Sequence, residues 1–513
     1  MRGAHWGVDK TLVDVRADGT VTLSLKLRYA MGGAAEGAVA YAFNGFNFII
    51  YTVVFGLPGT LAGAAVFLSI ILDAVSDPLI GYLSDRWTSK WGRRHPFIYF
   101  AALPLGAAIF CIYQPPAALL TTGGELLGFL GYEATGSQWL LAGWLFLFAS
   151  LLKFFLTCYH LPHLALGSEL STVYLERTRI FRYNTLFGIT GGAGVAWLFY
   201  TQVVGDQPIA DIDTRWFAVG LAVFGATIIF LTAFLTRQRI PHLPQPPADQ
   251  APFAVMDFFR EAAVVFTNRN YMMLFFGLLF LSPMVGVRDT LNANMYLFYW
   301  EMPAASIAIF PLVAVFSAIP AMMLVAYCNK QFEKSGTMRG AATIAAIAAS
   351  LPIILRSLEL LPANGSAWIF PIVCASVFFY YGALAMLTTT VYSAIGDVAD
   401  EQELISGKRQ EGVFYAVRTF FAKISSGLGH LLAGIAIEVI GFPAKAVVGE
   451  VPAQVIYELG VFEGILAVLP VLGALYFYGK YRIDKGQHEA IQVRLAERNN
   501  EQLQERHEEL GHA

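Results

Sequence analysis

Two aspartates stand one helical turn apart in a strongly apolar part of the sequence, LSIILDAVSDPLIGYLSD. Because Asp73 and Asp77 are four residues apart, a helix would place both carboxylates on one face. Two such anions repel each other, and burial makes charging them more costly still. The pair therefore needs a neutralising partner, which can be a proton, a bound sodium ion or a nearby ammonium group. This pattern predicts a cation site, and the structural alternative is a pair of ion-paired carboxylates that only hold helices together.

Three other polar residues are predicted to complete this cation site. Thr157 and Ser76 can add neutral oxygens for a hard cation, although a hydroxyl in a helix often bonds its own backbone instead. Lys423, in TFFAKISSG, is expected to couple the two halves of the protein as a counter-ion to the aspartates. The alternative is a lysine whose side chain extends to the membrane interface.

A second group of polar residues is predicted to contact a solute, because a charge inside a bilayer costs at least about 2.5–3.5 kcal/mol and needs a reason to be there. The group is Glu36, Lys153, Tyr159, His160 and Arg182. His160 can be a pocket donor, a proton carrier or a packing residue with one satisfied nitrogen. Glu36 and Lys153 are expected to neutralise each other between the first and fourth helices.

A charged segment, GYLSDRWTSKWGRR, follows the aspartate pair. Its gating residues are predicted to be Asp85, Arg86, Arg93 and Arg94, which would form a network that breaks when the two halves move. The alternative is a basic loop that only sets the orientation in the membrane. Two further charges, Arg288 and Asp289, are adjacent and therefore point about 100° apart on a helix. They are either gate residues or lie at the membrane interface.

The composition indicates that a bilayer surrounds these residues. Of the 513 residues, 56% are hydrophobic and 14% are charged, whereas about 25% of a soluble domain is charged. The four cysteines are widely spaced, which is typical of neither a disulfide framework nor a metal cluster. The polar N-terminal segment lacks the apolar core of a signal peptide. No phosphate-binding loop or nucleophile motif occurs, which argues against an ATP-driven pump and against an enzyme.

Apolar stretches of the length that spans a bilayer, about 20 residues, predict twelve helices. Their approximate limits are 29–55, 60–83, 96–114, 138–166, 184–204, 215–235, 269–299, 305–327, 340–361, 367–394, 411–441 and 456–480. We therefore expect five parts: a leader (1–26), a six-helix bundle (27–236), a linker (237–268), a second bundle (269–480) and a charged tail (481–513). The linker should contain an amphipathic surface helix from Val255 to Phe266, and the tail should be a solvated helix.

Basic residues predict the orientation. They cluster after the second, fourth and eighth helices, whereas the connection between the third and fourth helices has no Lys or Arg. The basic connections and both termini are therefore expected to be cytoplasmic. The end of helix 2, GYLSDRWTSKWGRR, is weakly repeated as YCNKQFEKSGTMRG at the end of helix 8. Two related halves joined by a linker are typical of alternating-access transporters, which bind their solute between the halves.

Three stretches resemble the glycoside–pentoside–hexuronide:cation symporters, a branch of the major facilitator superfamily. They are DAVSDPLIGYLSDRWTSKWGRRHPF, YHLPHLALGSELSTVYLERTRIFRYN and GDVADEQELISGKRQEGVFYAVRTFFAKISSG, within a resemblance that covers residues 27 to 480. It implies an all-α membrane protein with the major facilitator superfamily fold, twelve transmembrane helices in two six-helix bundles. It also implies cation-coupled import of a glycoside or related organic solute by alternating access, with Na⁺ or H⁺ as the coupling cation.

By this resemblance Asp73, Asp77 and Thr157 occupy cation-site positions, and Lys423 is the lysine beside that site. Ser76 stands where the melibiose-transporting members have an asparagine that tunes cation preference, so sodium and proton coupling both stay open.

The sugar-binding residues of the melibiose-transporting members are not present. Gly37 and His160 replace two sugar-binding aspartates, Leu164 replaces a tryptophan, and Thr185 replaces an arginine, with Arg182 nearby. The stretch TCYHLPHLAL is instead similar to the vertebrate sodium-dependent lysophosphatidylcholine symporters. An amphiphilic or lipid-like solute is therefore the alternative to a glycoside.

Two other classes of function are a non-transporting sensor or scaffold on a transporter fold and a membrane-embedded enzyme. The costly carboxylates and Lys423 argue against a non-transporting protein, and the lack of a catalytic motif argues against an enzyme. We expect no cofactor beyond the coupling cation, no nucleic acid partner, and a monomer in the inner (plasma) membrane of a bacterium.

Overall fold

The computed structural model describes residues 14–15, 20–120, 125–129, 132–171, 173–243, 265–407 and 411–511. Helices account for most of them. In chain order the main helices are α1 (Leu23–Ile49), α2 (Gly59–Arg86), α3 (His95–Tyr113), α4 (Gly136–Glu169), α5 (Tyr174–Leu198), α6 (Arg215–Thr236), α7 (Arg269–Asn294), α8 (Phe310–Ser357), α9 (Ile369–Ser406), α10 (Glu411–Val439), α11 (Ala453–Gly464), α12 (Val471–Gly479) and α13 (Lys485–Gly511). Strands β1 (Leu126–Phe129) and β2 (Tyr132–Thr135) form an antiparallel hairpin before α4.

Ten helical segments in the described ranges are long and apolar enough to span a membrane. One of them contains α8, in which Glu333, with a φ of 58°, interrupts the helix and divides it into the two spans that the sequence predicts. The helix α5 is not among the ten, because glycines and polar residues lower the hydropathy of its uncharged part. When α5 is included and α8 is divided, the segments correspond to the twelve predicted helices.

The helices α1 and α7 end in the same unusual way. A π-helical turn follows each of them, Ile50–Val54 after α1 and Met295–Tyr299 after α7. A residue with positive φ comes next at the equivalent place, Gly56 at 73° and Glu301 at 48°. In each copy a proline follows two residues later and begins the next helix. The helix α5 also ends in a π-helical turn (Phe199–Val204) followed by a residue with positive φ (Gly205, 54°), so only the proline two residues later distinguishes the endings of α1 and α7.

The helices α1 and α5 pack closely because small residues face each other along their crossing. An ideal Cβ atom at Gly37 would lie only 1.9 Å from the carbonyl oxygen of Gly188. One at Gly191 would lie 2.0 Å from the carbonyl oxygen of Ala34. No side chain can occupy position 37 unless the two backbones move apart.

The chain divides into two compact units. The first contains residues 1–252, 289–311 and 430–456, so it includes the ends of α7 and α10 together with the first six helices. Within this unit α2 lies against α10 through glycines, and an ideal Cβ at Gly59 would lie 2.4 Å from the carbonyl oxygen of Gly434. The predicted bundle limits, 27–236 and 269–480, stay a prediction.

The second unit contains residues 253–288, 312–429 and 457–513. Its core includes fully buried aromatic side chains from four helices, namely Tyr271, Tyr380, Phe414 and Tyr478. The hydroxyl of Tyr271 donates to the carbonyl oxygen of Phe414, which joins α7 to α10.

The charged tail helix α13 is docked against α9, which the sequence did not predict. Arg498 Nη2 lies 3.2 Å from Glu403 Oε1 and the amide of Gln492 donates to Asp400 over 2.6 Å, while Leu495 is buried. These contacts alternate along α13 with exposed charges, and for this reason the sequence shows no continuous apolar face. The predicted surface helix from Val255 to Phe266 lies mostly outside the described residues.

Candidate cation and solute sites

Asp73 and Asp77 project from α2 towards the same hydroxyl group on α4. Thr157 Oγ1 lies 3.0 Å from Asp73 Oδ1 and 2.9 Å from Asp77 Oδ1. Asp73 and Thr157 are buried, and Asp77 is half-buried. The four-residue spacing on α2 thus places both carboxylates on one face, as the sequence predicts, and α4 brings a neutral oxygen to both of them.

The Thr157 hydroxyl has one proton for its two carboxylate contacts. A hydroxyl carries one proton, so Thr157 can donate to only one of the two carboxylate oxygens at a time. The other oxygen–oxygen contact is favourable only when its carboxyl carries a proton or when a cation shares the oxygens. The three side chains therefore form an oxygen cluster that suits a hard monovalent cation or a proton.

Two further residues, Ser76 and Lys423, are predicted to belong to this cation site. The Ser76 hydroxyl donates to the backbone carbonyl of Asp73 over 3.0 Å, as a helical serine commonly does. Lys423 is half-buried on α10 in the second unit, and its coupling role stays a prediction.

The predicted solute residues Glu36 and His160 lie together. His160 Nδ1 is 2.7 Å from Glu36 Oε1, and both side chains are partly exposed, at 37% and 24%. Glu36 therefore pairs with His160, a partner that the sequence did not predict, and the predicted pairing of Glu36 with Lys153 stays a prediction. The ammonium of Lys153 lies over the ring of Phe43, 4.7 Å from its centroid.

The two remaining solute residues, Tyr159 and Arg182, make other contacts. Tyr159 is fully buried, and its hydroxyl is 3.0 Å from Nδ1 of His163. His163 in turn lies 3.0 Å from the carbonyl oxygen of Tyr29 through Nε2, so Tyr159 helps to join α1 and α4. Arg182 is exposed near the ring of Tyr183.

The helix α4 connects the candidate cation and solute sites. Lys153, Thr157 and His160 recur at intervals of four and three residues, the spacing that aligns side chains along a helix. Thr157 faces the aspartates of α2, while Lys153 and His160 contact Phe43 and Glu36 of α1. A shift of α4 would change both groups of contacts together.

Three of the four predicted gating residues form an ion-pair cluster around Glu169, which the sequence did not predict. Arg94 Nη1 lies 2.5 Å from Asp85 Oδ1, and its Nη2 lies 2.9 Å from Glu169 Oε1. Arg93 Nη2 lies 2.5 Å from the same oxygen of Glu169. Arg86 lies outside this cluster, where it donates to Tyr82 over 2.7 Å.

The cluster joins the ends of α2, α3 and α4, all within the first six helices. Removing one member of a buried ion pair typically costs about 3–5 kcal/mol, so the buried pairs of Glu169 should hold the ends of α3 and α4 together, whereas Asp85 at the end of α2 is 59% exposed. The only sequence signal for Glu169 is its position at the end of the fourth predicted helix, in the motif GSEL. The gating role of these residues stays a prediction.

The second unit has its own ion pairs. Lys334 Nζ lies 2.5 Å from Asp397 Oδ2, and Tyr481 donates to the same carboxylate over 3.2 Å. Arg288 is buried, with Nη1 2.7 Å from Glu463 Oε1. Arg288 thus has a partner on α11, and this contact joins α7 to α11.

Comparison with known proteins identifies the family. The model of the family described as MFS/sugar transport protein matches residues 28–485. The chain belongs to this family. As a member of the MFS/sugar transport family it is an integral membrane protein. The resemblance of its motifs to the glycoside–pentoside–hexuronide:cation symporters is confirmed.

Relatives align along nearly their whole length. An uncharacterized symporter of Synechocystis sp. is 26% identical, with 92% of this chain and 96% of the relative covered. The isoprimeverose transporter of Lactiplantibacillus pentosus is 21% identical, with 93% of each chain covered. The sodium-dependent lysophosphatidylcholine symporter 1-B of Danio rerio is also 21% identical, with 93% of this chain and 90% of the relative covered.

Solved structures confirm the predicted fold. The crystal structure of the nucleoside transporter NupG matches with a TM-score of 0.61 at 13% identity, covering 90% of this chain and 100% of that chain. The protein therefore has the all-α major facilitator superfamily fold that the sequence predicts.

Proposed function

We propose that this protein is a secondary active symporter that uses a cation gradient to import a glycoside or related organic solute. The observation that carries the proposal is the position of the Thr157 hydroxyl, within 3.0 Å of a carboxylate oxygen of both Asp73 and Asp77. Support also comes from the relatives, of which several are named symporters and one is named an isoprimeverose transporter.

The charge balance of the site suggests how coupling works. Without a cation, the two carboxylates repel each other, and the Thr157 hydroxyl can donate to only one of them at a time. A bound Na⁺ or H⁺ removes this repulsion and draws the oxygens of α2 and α4 together. Because α4 also holds His160 and Lys153, cation binding would set the position of the solute contacts. The solute would then bind tightly only to the cation-loaded protein, which is the requirement for symport.

Uptake into proteoliposomes tests the proposal, with isoprimeverose and lysophosphatidylcholine as the two probes. An inward Na⁺ or H⁺ gradient should accelerate uptake of one probe by the unaltered protein. Asp77→Asn should abolish the response to the gradient, because the amide cannot neutralise a cation.

A matched control is Asp213→Asn, since Asp213 is exposed and pairs only with its neighbour Arg215 among the described ion pairs. This variant should keep the gradient response. Uptake that ignores both gradients, or an Asp77→Asn variant that behaves like Asp213→Asn, would show that the proposed coupling is wrong.

An amphiphilic solute is the second candidate. The close approach of Gly37 to Gly188 leaves no room for a side chain where the melibiose-transporting proteins have a sugar-binding aspartate. One relative, moreover, is named a lysophosphatidylcholine symporter. Competition decides between the candidates: a glycoside transporter should be inhibited by a panel of disaccharides and not by lysolipids, and a lipid transporter by the reverse.

We also propose a monomer in the inner membrane of a bacterium with both termini in the cytoplasm, a transporter rather than an enzyme. The orientation rests on the basic residues after α2 and α4. Labelling of single cysteines placed in these connections, from either side of the membrane, tests it.

A further inference from the structure

The hairpin of β1 and β2 is a rigid extension of α4. Thr135 ends the hairpin and caps α4, because its hydroxyl accepts the backbone N–H of Gln138 while the Gln138 side chain accepts the N–H of Thr135. The indole of Trp139, in the first turn of α4, donates to the carbonyl oxygen of Leu127 over 2.9 Å. The ring of Tyr132 packs edge-on against the same indole. Any movement of α4 should therefore carry the hairpin with it.

The hairpin reaches a carboxylate near the end of α10. Tyr132 Oη donates to Glu438 Oε1 over 2.6 Å. The other carboxylate oxygen, Oε2, accepts the backbone N–H of Thr60 over 3.0 Å. Both oxygens of Glu438 thus have a donor, and the carboxylate joins α10 to the hairpin and to the first turn of α2. All three residues belong to the first unit.

The position of Thr60 explains why a carboxylate fits there. The first N–H groups of a helix have no partner within the helix, and the N-terminus carries partial positive charge that favours an anion. The residue before α2 is Pro58, which makes no side-chain hydrogen bond to the first turn. Glu438 therefore supplies from α10 the acceptor that α2 lacks in its own sequence.

Beside this contact α2 and α10 approach each other through glycines. An ideal Cβ at Gly59 would lie 2.4 Å from the carbonyl oxygen of Gly434, and one at Gly63 would lie 2.7 Å from that of His430. Such glycine contacts are close but hold the helices only by dispersion. The hydrogen bonds of Glu438 are the directional part of the contact, at the end of α2 that the basic residues predict to be extracellular.

We propose that Tyr132 and Glu438 are positioning residues of the transport cycle, which hold the extracellular ends of α2 and α10 closed while α4 keeps the hairpin in place. The proposal rests on the proposed alternating-access function. Opening towards the outside requires Glu438 to leave Thr60, and a shift of α4 that withdraws Tyr132 would favour this step. The hairpin thus gives α4, which carries Thr157, a direct contact with the extracellular gate.

The chemistry of the phenol suits this role. Burial, and then the hydrogen bond and negative charge of Glu438, raise the pKa of Tyr132 well above its usual value. Tyr132 therefore stays protonated and keeps donating to Glu438 throughout the physiological pH range.

Accessibility of a cysteine between α2 and α10 tests the proposal. Ile437 is 3% exposed, and its Cγ2 lies 3.2 Å from the Cβ position of Gly59. In a background with the four native cysteines replaced by serine, Ile437→Cys should react slowly with a membrane-impermeant maleimide added outside. A second substitution in this protein, Tyr132→Phe, should increase the labelling rate about 10-fold. The closed state loses a hydrogen bond to a charged group and the open state does not, so the open state becomes more populated.

The control is Tyr457→Phe, which removes the same hydroxyl from an exposed tyrosine on α11 and should leave the labelling rate unchanged. Glu438→Gln, which removes the charge and keeps the shape, should also accelerate labelling. Equal melting temperatures of the variants would show that labelling reports the gate and not unfolding.

If Tyr132→Phe and Glu438→Gln both label at the rate of the parent, the proposed gate contact is wrong. This result does not depend on the solute, because labelling needs none. If the two variants label faster but uptake by the unaltered protein does not respond to cation gradients, the gate contact is supported and the symport proposal is wrong.

Discussion

Thr157 is the residue on which the candidate cation site depends most. Its hydroxyl is the neutral group shared by two carboxylates, and it connects α4 to α2 at a buried position. Asp73 and Asp77 supply the charge, but their backbone positions are fixed by one helix. Thr157 comes from a different helix, so in the proposed mechanism its contacts with the carboxylates depend on whether they are neutralised.

Replacing Thr157 tests this role. Thr157→Val keeps the shape of the side chain and removes the hydroxyl, so the carboxylates lose a shared donor and the cation loses a ligand. The cation concentration for half-maximal uptake should rise about 10-fold or more, since leaving a buried polar group unsatisfied costs roughly 1–3 kcal/mol.

The matched control is Thr157→Ser, which retains the hydroxyl and should keep the cation dependence close to that of the unaltered protein. A Thr157→Val protein with an unchanged half-maximal cation concentration would mean that this hydroxyl is not part of the cation site.

His160 is a partner of Glu36 that the sequence did not predict. The sequence predicts that Glu36 needs a cation nearby, and Lys153 is a stronger permanent cation than histidine. The structure brings His160 to Glu36 and leaves Lys153 over Phe43, two turns away along α4. The sequence predicts how residues are spaced along one helix. It does not predict which residues of two neighbouring helices lie opposite each other.

At the scale of elements, α1 and α5 approach each other closely within the first unit. Glycines at positions 37 and 188 allow backbone contact, and the side chain of any other residue at position 37 would meet the carbonyl oxygen of Gly188. This packing explains the absence of a carboxylate at position 37 by geometry alone. It also makes the crossing sensitive to a single methyl group.

Adding that methyl group is a direct test. Gly37→Ala should destabilise the protein by roughly 1–3 kcal/mol, the usual range for overpacking a core. A lower melting temperature of the purified protein would report it.

Gly194, on the same helix α5, is the control, because a Cβ there would meet no atom within 4 Å. Gly194→Ala should be neutral or slightly stabilising, since alanine favours a helix over glycine by about 1 kcal/mol. Equal melting temperatures for Gly37→Ala and Gly194→Ala would contradict the proposed packing.

For the whole molecule, the sequence predicts the number and approximate places of the helices because bilayer thickness sets their apolar length. It cannot predict the π-helical turns after α1 and α7, which depend on local backbone geometry rather than on hydropathy. The break at Glu333 is also invisible in composition, since glutamate is not a typical residue for positive φ.

The sequence predicts those parts of the site whose residues lie close together along the chain. Asp73 and Asp77 share one helical turn, so their spacing alone predicts a common face. Glu169, Tyr132 and Glu438 have partners far away along the chain, and no local pattern marks them. The docking of the tail on α9 was missed for the same reason, because its partners are single charges and not an apolar face.

Cation binding to the purified protein tests the central claim most directly, because it needs no solute. We would measure equilibrium binding of ²²Na⁺ and, in weak buffer, the protons released or taken up. If the protein is sodium-coupled, the unaltered protein should bind Na⁺ saturably and release protons. If it is proton-coupled, it should take up protons. The Asp73→Asn/Asp77→Asn variant should do neither. A double variant indistinguishable from the unaltered protein in both measurements would contradict the assignment of this carboxylate pair as the cation site.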